Sequence, residues 1–316
     1  MTSTRESRSR AILDELTEKS MIARFRELEV HLVHGPEAPA TLEEIGRIRE
    51  YEYRRVGAGR GGFVDLDRHD TQWPWYSQLV SWDPEHREIV AMYRAIRCGW
   101  ALHHGGLDAL RTSTLFSYSD EFVSRFLERS VELGRSVVNS DAHRAISGLF
   151  SVWVGLGAMI GEWKDVDYFF GNISLYRTLP DTAVEAIVDY LARFHSGPPG
   201  LVTARVPTGR WRARGASGDS DTNSSTSADE AFAVLQAEAK RDGWSVPPIL
   251  LSYLKAHPGL LAFDIASDGD FGGALEVAIA VPVAGLSSRT VNRFVAPYQS
   301  VNPSRFLPAE MPRGSS

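Results

Sequence analysis

The sequence predicts an α/β (α+β) fold in which a mixed central sheet is flanked by helices. Three observations predict it. Short apolar, β-branched runs read as strands, at Glu29–Val33, Gln78–Trp82, Glu88–Arg97, Ser130–Val138, Asp167–Leu175 and Leu275–Val283. Stretches of helical period lie between them, so the two element types are interleaved along the chain. Gln78–Trp82 and Glu88–Arg97 flank Asp83-Pro84-Glu85-His86-Arg87, which makes an antiparallel hairpin.

Residues 1–10 are polar and expected to be mobile. Ile12, Leu13, Leu16, Ile22 and Phe25 recur at roughly helical spacing and predict one helix over about 11–28. Thr41 with Glu44 resembles a capping box and opens a helix to about Arg55. The cluster Gly57–Gly62 ends that helix. It fits the dinucleotide pattern G-x-G-x-x-G, but no strand precedes it and no helix follows, so a nucleotide site is not expected. Phe63–Asp70 gathers Asp65, Asp67, His69 and Asp70, which can face a hard cation or an amine, or form an acidic loop salted with Arg68. Trp73-Pro74-Trp75-Tyr76 can line an acyl groove or pack a loop down. His103-His104 reads as a solvent loop, and Phe116–Phe126 as a helix carrying Tyr118, Phe122 and Phe126.

After Val138 the chain turns at Asn139-Ser140-Asp141 into an apolar helix from about His143 to Ile160, whose glycines permit close approach of a neighbour. Asp181 is expected to cap a helix over 182–195. The Ser-, Gly- and Asp-rich stretch from 207 to about 230 has almost no large apolar residue and reads as a disordered insert. Ala231–Arg241 and Ile249–Ala256 are helical, helix signals recur near Arg289–Phe294, and residues 301–316 read as a flexible tail.

Composition excludes several functions. The chain has 316 residues, 43% hydrophobic and 23% charged, with a net charge of −6 and no long basic stretch, so nucleic acid is not an expected partner. The single Cys98 rules out intrachain disulfides and thiolate-rich metal sites, and it fits a reducing, cytoplasmic setting. No signal-peptide core and no run of eighteen apolar residues is present, so no membrane span is expected. The basic residues of the first helix leave a peripheral membrane contact open.

The chain is organised around Ser130–Val138. Strict alternation puts Glu132, Gly134 and Ser136 on one face and Val131, Leu133, Arg135 and Val137 on the other. A strand paired on both sides gains nothing from an interior glycine. Gly134 therefore marks a place where a backbone or an extended ligand comes close, and the strand reads as the floor of a cleft.

Several segments together carry a family resemblance: Phe63-Val64-Asp65-Leu66-Asp67 with Asp70, Gln78–Pro84, Tyr93-Arg94, Ser130–Val138 and Tyr168-Phe169-Phe170-Gly171. In this order they resemble the GNAT acyltransferases, in particular the haemolysin-like group that includes the N-acyltransferases of ornithine-lipid and glycine-lipid synthesis and is related to acyl-homoserine-lactone synthases. The resemblance runs from about 40 to 205 and resumes from Pro247-Pro248 to about Phe294. It implies a GNAT-like, mostly antiparallel sheet with two central strands splayed apart. Its domain plan is an N-terminal helical extension (1–28), a core (29–206), the insert (207–230), a part completing the core (231–300) and the tail. It also implies transfer of a fatty acyl group, plain or 3-hydroxylated, from acyl carrier protein to the primary amine of an amino acid or aminolipid precursor, with acyl-CoA as the other possible donor and no bound cofactor or metal.

The same resemblance implies roles for particular residues. Glu132 would be the general base, with backbone near Gly134–Ser136 holding the oxyanion. Arg135, Val137, Asn139, Arg144 and Gly171 would meet the donor. Asp65, Asp67, Asp70 and Arg94 would meet the acceptor, unless these acids and arginines simply pair with one another. Trp73, Trp75 and Phe170 would line the acyl groove. The loop Val138–Arg144 lacks the glycines with which acetyl-CoA enzymes cup a pyrophosphate, which favours the carrier protein as donor. A non-catalytic GNAT-like module that binds acyl carrier protein or lipid is the alternative, since Ala91-Met92 stands where relatives commonly have glycine. Membrane lysis has no support in the sequence.

Overall fold

The computed structural model describes residues 2–211, 227–299, 301 and 303–306. Helix α1 (Thr2–Glu15) and strand β1 (Met21–Phe25) stand where one helix over 11–28 was expected. The chain reverses at Arg26, whose φ is 55°, so β1 pairs antiparallel with β2 (Leu28–His34). Helix α2 (Pro39–Arg55) begins two residues before Thr41, and the expected box with Glu44 does not form. Glu15 of α1 instead accepts hydrogen bonds from the Ala40 and Thr41 amides at 2.8 and 2.7 Å, while Glu44 pairs with Arg8 and Arg47.

The short helix α3 (Arg68–Thr71) is opened by Asp67. The predicted hairpin is present as β3 (Ser77–Asp83) and β4 (Glu88–Arg97). His103 and His104 lie in helix α4 (Cys98–Gly105), not in a loop, because His104 packs on Trp100, with ring centroids 4.6 Å apart. Strand β5 (Phe116–Tyr118) and helix α5 (Asp120–Arg125) divide the helix expected over 116–126, since Ser119 caps α5 through the Phe122 amide. The rings of Tyr118, Phe122 and Phe126 nonetheless stack in a row, 5.6 and 5.5 Å apart.

The organising strand is β6 (Ser130–Val138), followed by helix α6 (Ala145–Glu162) and strand β7 (Tyr168–Leu175). Asp181 is the first residue of helix α7 (Asp181–Phe194) and does not cap it; its carboxylate meets Arg210 at 3.0 Å. Strand β8 (Val202–Ala204) pairs with β5. Pro207 bridges to Ala266 and Trp211 packs on the core, so the described chain reaches into the predicted insert; residues 212–226 lie outside the described residues. Helix α8 (Ala228–Arg241), helix α9 (Pro248–Ala256), and strands β9 (Leu261–Asp268) and β10 (Ala274–Pro282) complete the fold. Within the predicted tail, Phe306 is buried against Trp163.

The sheet order is β1-β2-β3-β4-β6-β7-β10-β9, antiparallel throughout except for the parallel pair β6–β7. One face carries a core built with α6, α7, α8 and α9 through Leu79, Leu156, Ile187, Leu235 and Leu250. On the other face α1 and α2 pack through Ile12, Ile45 and Ile48, and α4 and α5 through Ala101 and Phe122. This sandwich of helix, sheet and helix buries both faces of the central strands, which is why they read as nearly continuous apolar runs. Helix α6 lies close to the sheet at Gly155, where a Cβ would stand 2.6 Å from Leu79, and the segment Val291–Val295 closes on it at Gly157, where a Cβ would stand 1.8 Å from the Phe294 carbonyl oxygen. By length and composition α6 is apolar enough to cross a membrane, but half of it is buried in this core.

Candidate active site

Strands β6 and β7 are paired only from Ser130↔Tyr168 to Leu133↔Gly171. Beyond that point they separate, and the gap is a cavity of about 250 Å³. Two devices produce it. Gly171 permits the last contact, since a Cβ there would stand 2.5 Å from the Leu133 carbonyl oxygen. Then β6 bulges: Arg94 pairs with Gly134 but Met92 with Val137, and Arg135 takes a φ of 55°.

The bulge overturns the expected alternation. Arg135 shares the α2 side of the sheet with Glu132 and Gly134, and lies 4.5 Å over the Phe271 ring. Ser136 turns to the α6 side, toward the Tyr93 hydroxyl, and Val137 is buried in the α2-side core. Gly134 itself faces open space, the nearest atom to a Cβ there being Arg94 Nε at 4.0 Å. The cavity therefore passes through the sheet. Tyr53, Arg94, Glu132 and Phe271 line it on one side, and Tyr93, Val138, Leu149 and Ile249 on the other.

Glu132 sits at the fork, 2% exposed. The Tyr76 hydroxyl donates to its Oε1 at 2.7 Å, as does the Thr112 amide at 3.1 Å, and the Thr112 hydroxyl donates to its Oε2 at 2.7 Å. Tyr76 in turn accepts from the Arg111 amide at 2.8 Å, and Tyr118 donates to Thr112 at 2.6 Å. Burial pushes the Glu132 carboxyl above its ordinary pKa, and the hydrogen bonds and Arg94 only partly offset this. A buried carboxylate with raised proton affinity beside a cavity has the chemistry of a proton acceptor.

Beside it, Asp65, Asp67 and Asp70 interlock with three arginines. Arg94 Nη1 donates to Asp67 at 2.9 Å and to Asp70 at 3.1 Å, Arg49 donates to Asp70 at 3.1 Å, and Arg135 Nε lies 2.8 Å from Asp65 Oδ2. Asp67 also caps α3, accepting from the His69 amide at 2.9 Å. Burial pushes the Asp67 carboxyl up, but Arg94 and Arg135 outweigh it and hold the group well below the usual carboxylate range. Three acids so engaged with arginines form an ion-paired scaffold rather than a hard-cation site. Among the described residues, the Nε of Arg94 has no hydrogen-bond partner, and it is buried at the cavity edge.

The remaining predicted residues lie apart from the slot. Asn139 donates to the Ile89 carbonyl at 2.9 Å, and Arg144 pairs with Asp83 and Glu85 at the β3–β4 turn. Trp73 packs edge to face with Trp75 and with Trp100, and Trp75 packs against Gly35; neither is part of the cavity lining. Phe170 is enclosed by Tyr118 and Phe122. They miss the cavity because it forms where strands part, while these aromatic side chains fill packed corners. At the same turn His86, Glu88 and His143 have ligand-type atoms within 4.8 Å of one another.

Sequence reading overlooked Thr112, which sits in a 3-10 turn (Arg111–Thr114) with no motif to announce it. Asn172 and Ser174, which hydrogen-bond the buried Glu276 from the β7 side, were also missed, although their alternation after Gly171 was a readable signal.

A sheet whose central strands part beside a buried acid is the architecture of the GNAT class. An acetyltransferase (GNAT) domain family matches residues 48–154. The chain is 31% identical over 265 residues to a glycine N(alpha)-acyltransferase of Bacteroides thetaiotaomicron, covering 81% of this chain and 77% of that protein. It is 30% identical over 270 residues to a glycine N(alpha)-acyltransferase of Phocaeicola vulgatus, covering 81% and 80%. No solved structure gives a significant match. The chain belongs to the GNAT acyltransferases; it is an enzyme, an N-acyltransferase.

Proposed function

We propose that the enzyme moves a fatty acyl group from acyl carrier protein to the amine of glycine, or of a similarly small amino-acid acceptor, forming an amide. The observation that carries this reading is the through-sheet slot beside Glu132. A pantetheine arm enters between β6 and β7 and satisfies the unpaired strand edges, while the acyl chain follows the apolar wall of Val138, Leu149 and Ile249. Glycine is favoured because the relatives are named for it, and because Arg94 Nε is a buried donor with no partner among the described residues, suited to a carboxylate.

In this reading Glu132 takes a proton from the acceptor ammonium, directly or through water. The freed amine attacks the thioester carbonyl, the oxyanion forms against the β6 backbone edge near Gly134, and collapse breaks the C–S bond. The attacking nitrogen gives up its second proton as the intermediate collapses; of the two protons it has lost, one goes to the departing thiolate and the other leaves to solvent. Cys98 is no alternative nucleophile, since it is fully buried and burial pushes its thiol pKa up.

The loop before α6 supports a carrier protein over acyl-CoA. Its amides are already occupied by the chain's own acids: Glu52 accepts from the Ser140 amide at 2.8 Å and Glu88 from the His143 amide at 2.7 Å. A pyrophosphate placed there would meet carboxylates instead of free N–H groups. The test is to supply purified enzyme with acyl carrier protein or CoA thioesters of one fatty acid, with glycine and a panel of amines. Mass spectrometry should find N-acylglycine, faster from the carrier protein. No amide from any donor, or a clear preference for acyl-CoA, would overturn the corresponding half of the proposal.

A further inference from the structure

The apolar side of the slot continues as a valley between α6 and α9. Leu149 of α6 and Ile249 of α9 line the slot. One helical turn further along the same faces, Trp153 and Tyr253 line a second, small apolar crevice of about 20 Å³, whose floor includes Phe169. The two spaces draw on the same helices, α6 and α9, but share no lining residue. Between them stand Tyr93, which lines the slot, and Tyr253, which lines the crevice, with their hydroxyls hydrogen-bonded at 2.5 Å. Both are buried, at 3% and 5% exposure. A buried tyrosine hydroxyl must find a partner, and here each finds the other across the valley. Two rings locked end to end in this way form a bar that an alkyl chain cannot pass without breaking a buried hydrogen bond.

We propose that the Tyr93–Tyr253 pair is the end stop of the acyl groove and sets the longest fatty chain the enzyme transfers. This rests on the fatty-acyl reading of the slot. The crevice behind the pair is the space a longer chain would enter once the bar is removed.

The experiment measures kcat/KM for carrier protein charged with a series of even-numbered saturated chains from medium to long, in the wild type and in Tyr253→Leu. Opening the bar should shift the optimum to longer chains, raising kcat/KM for a chain just beyond the wild-type limit by at least about tenfold relative to the wild-type optimum, the discrimination that a methylene or two supplies in an apolar pocket. Tyr253→Phe keeps the ring but removes the hydroxyl-to-hydroxyl bond, and should shift the optimum in the same direction by less than Tyr253→Leu does. A merely structural role would lower all lengths together, and that result, or an unmoved optimum in folded protein, overturns the proposal. Should the leucine variant not fold, Tyr253→Met opens the same bar with less loss of volume and is read in the same way. Absence of turnover in the wild type with every chain would instead sink the fatty-acyl reading, and this proposal with it.

Discussion

Leu133 and Gly171 are the last residues that β6 and β7 share, and the Leu133 carbonyl oxygen lies 2.5 Å from where a Cβ on residue 171 would stand. The two glycines of the fork therefore differ in kind. Gly171→Ala forces rigid backbone apart and should cost about 1–3 kcal/mol in a urea melt, as overpacked sites do. Gly134→Val should fold nearly normally, because its nearest obstacle is Arg94 Nε at 4.0 Å, yet fill the slot and raise KM for the donor. Comparable stability losses in both variants would contradict this distinction.

Glu132→Gln should lower kcat by ~10²–10⁴ while leaving carrier-protein binding intact, as read by titration calorimetry. Because burial raises the Glu132 pKa, the acidic limb of kcat/KM should lie above the ordinary carboxyl range and vanish in the variant. The stability sign is the reverse of a salt-bridged acid. With its folded pKa raised, Glu132 favours the folded state below the unfolded carboxyl pKa, and that contribution is lost as pH rises through the folded value. Glu132→Gln should therefore flatten this part of the stability–pH curve.

Asp67 and Asp70 have depressed pKa values in the folded state: burial raises them, but Arg94 with Arg135 and Arg49 outweighs it. Their contribution is present above the unfolded carboxyl pKa and lost as pH falls through the folded one. Arg94→Met leaves buried acids without their main partner and should cost about 3–5 kcal/mol, with the loss measured at neutral pH shrinking as the acids protonate. An equal loss at all pH values would show that packing, not charge, is what Arg94 supplies.

Glu52→Gln replaces the carboxylate at the Ser140 amide, on the loop leading to α6. It should leave carrier-protein kinetics unchanged and lower KM for acyl-CoA by about two- to fivefold, the scale of a charge near a helix N-terminus. No change in acyl-CoA kinetics would remove this loop from donor selection.

The strands that meet in the middle of the sheet were legible because both their faces are buried, so apolar runs at Gln78–Trp82, Glu88–Arg97 and Leu275–Val283 left no other reading. Edge elements were not. β1 alternates partly exposed residues and hides Ile22 in what looks like a helix repeat, and β9 carries Asp264 and Asp268 among its apolar residues. Within the site, Glu132 and Gly134 were found as exceptions to strand composition. The facing of Ser136 was not, because a bulge depends on Arg135 adopting a positive φ that its side chain does not advertise. Thr112 and Tyr76 reach Glu132 from 20 and 56 residues away in sequence, a distance over which local pattern carries no information.

The cavity passes from one side of the sheet to the other, and this bears on the order of events. On the function proposed above, a donor arm arriving along the α6 side would not block the approach of an amine from the α2 side, where Arg94 and Glu132 lie. Either molecule can enter while the other is in place, and both must be present before the bond is made. Initial-velocity plots should therefore converge, and either product should escape without waiting for its partner.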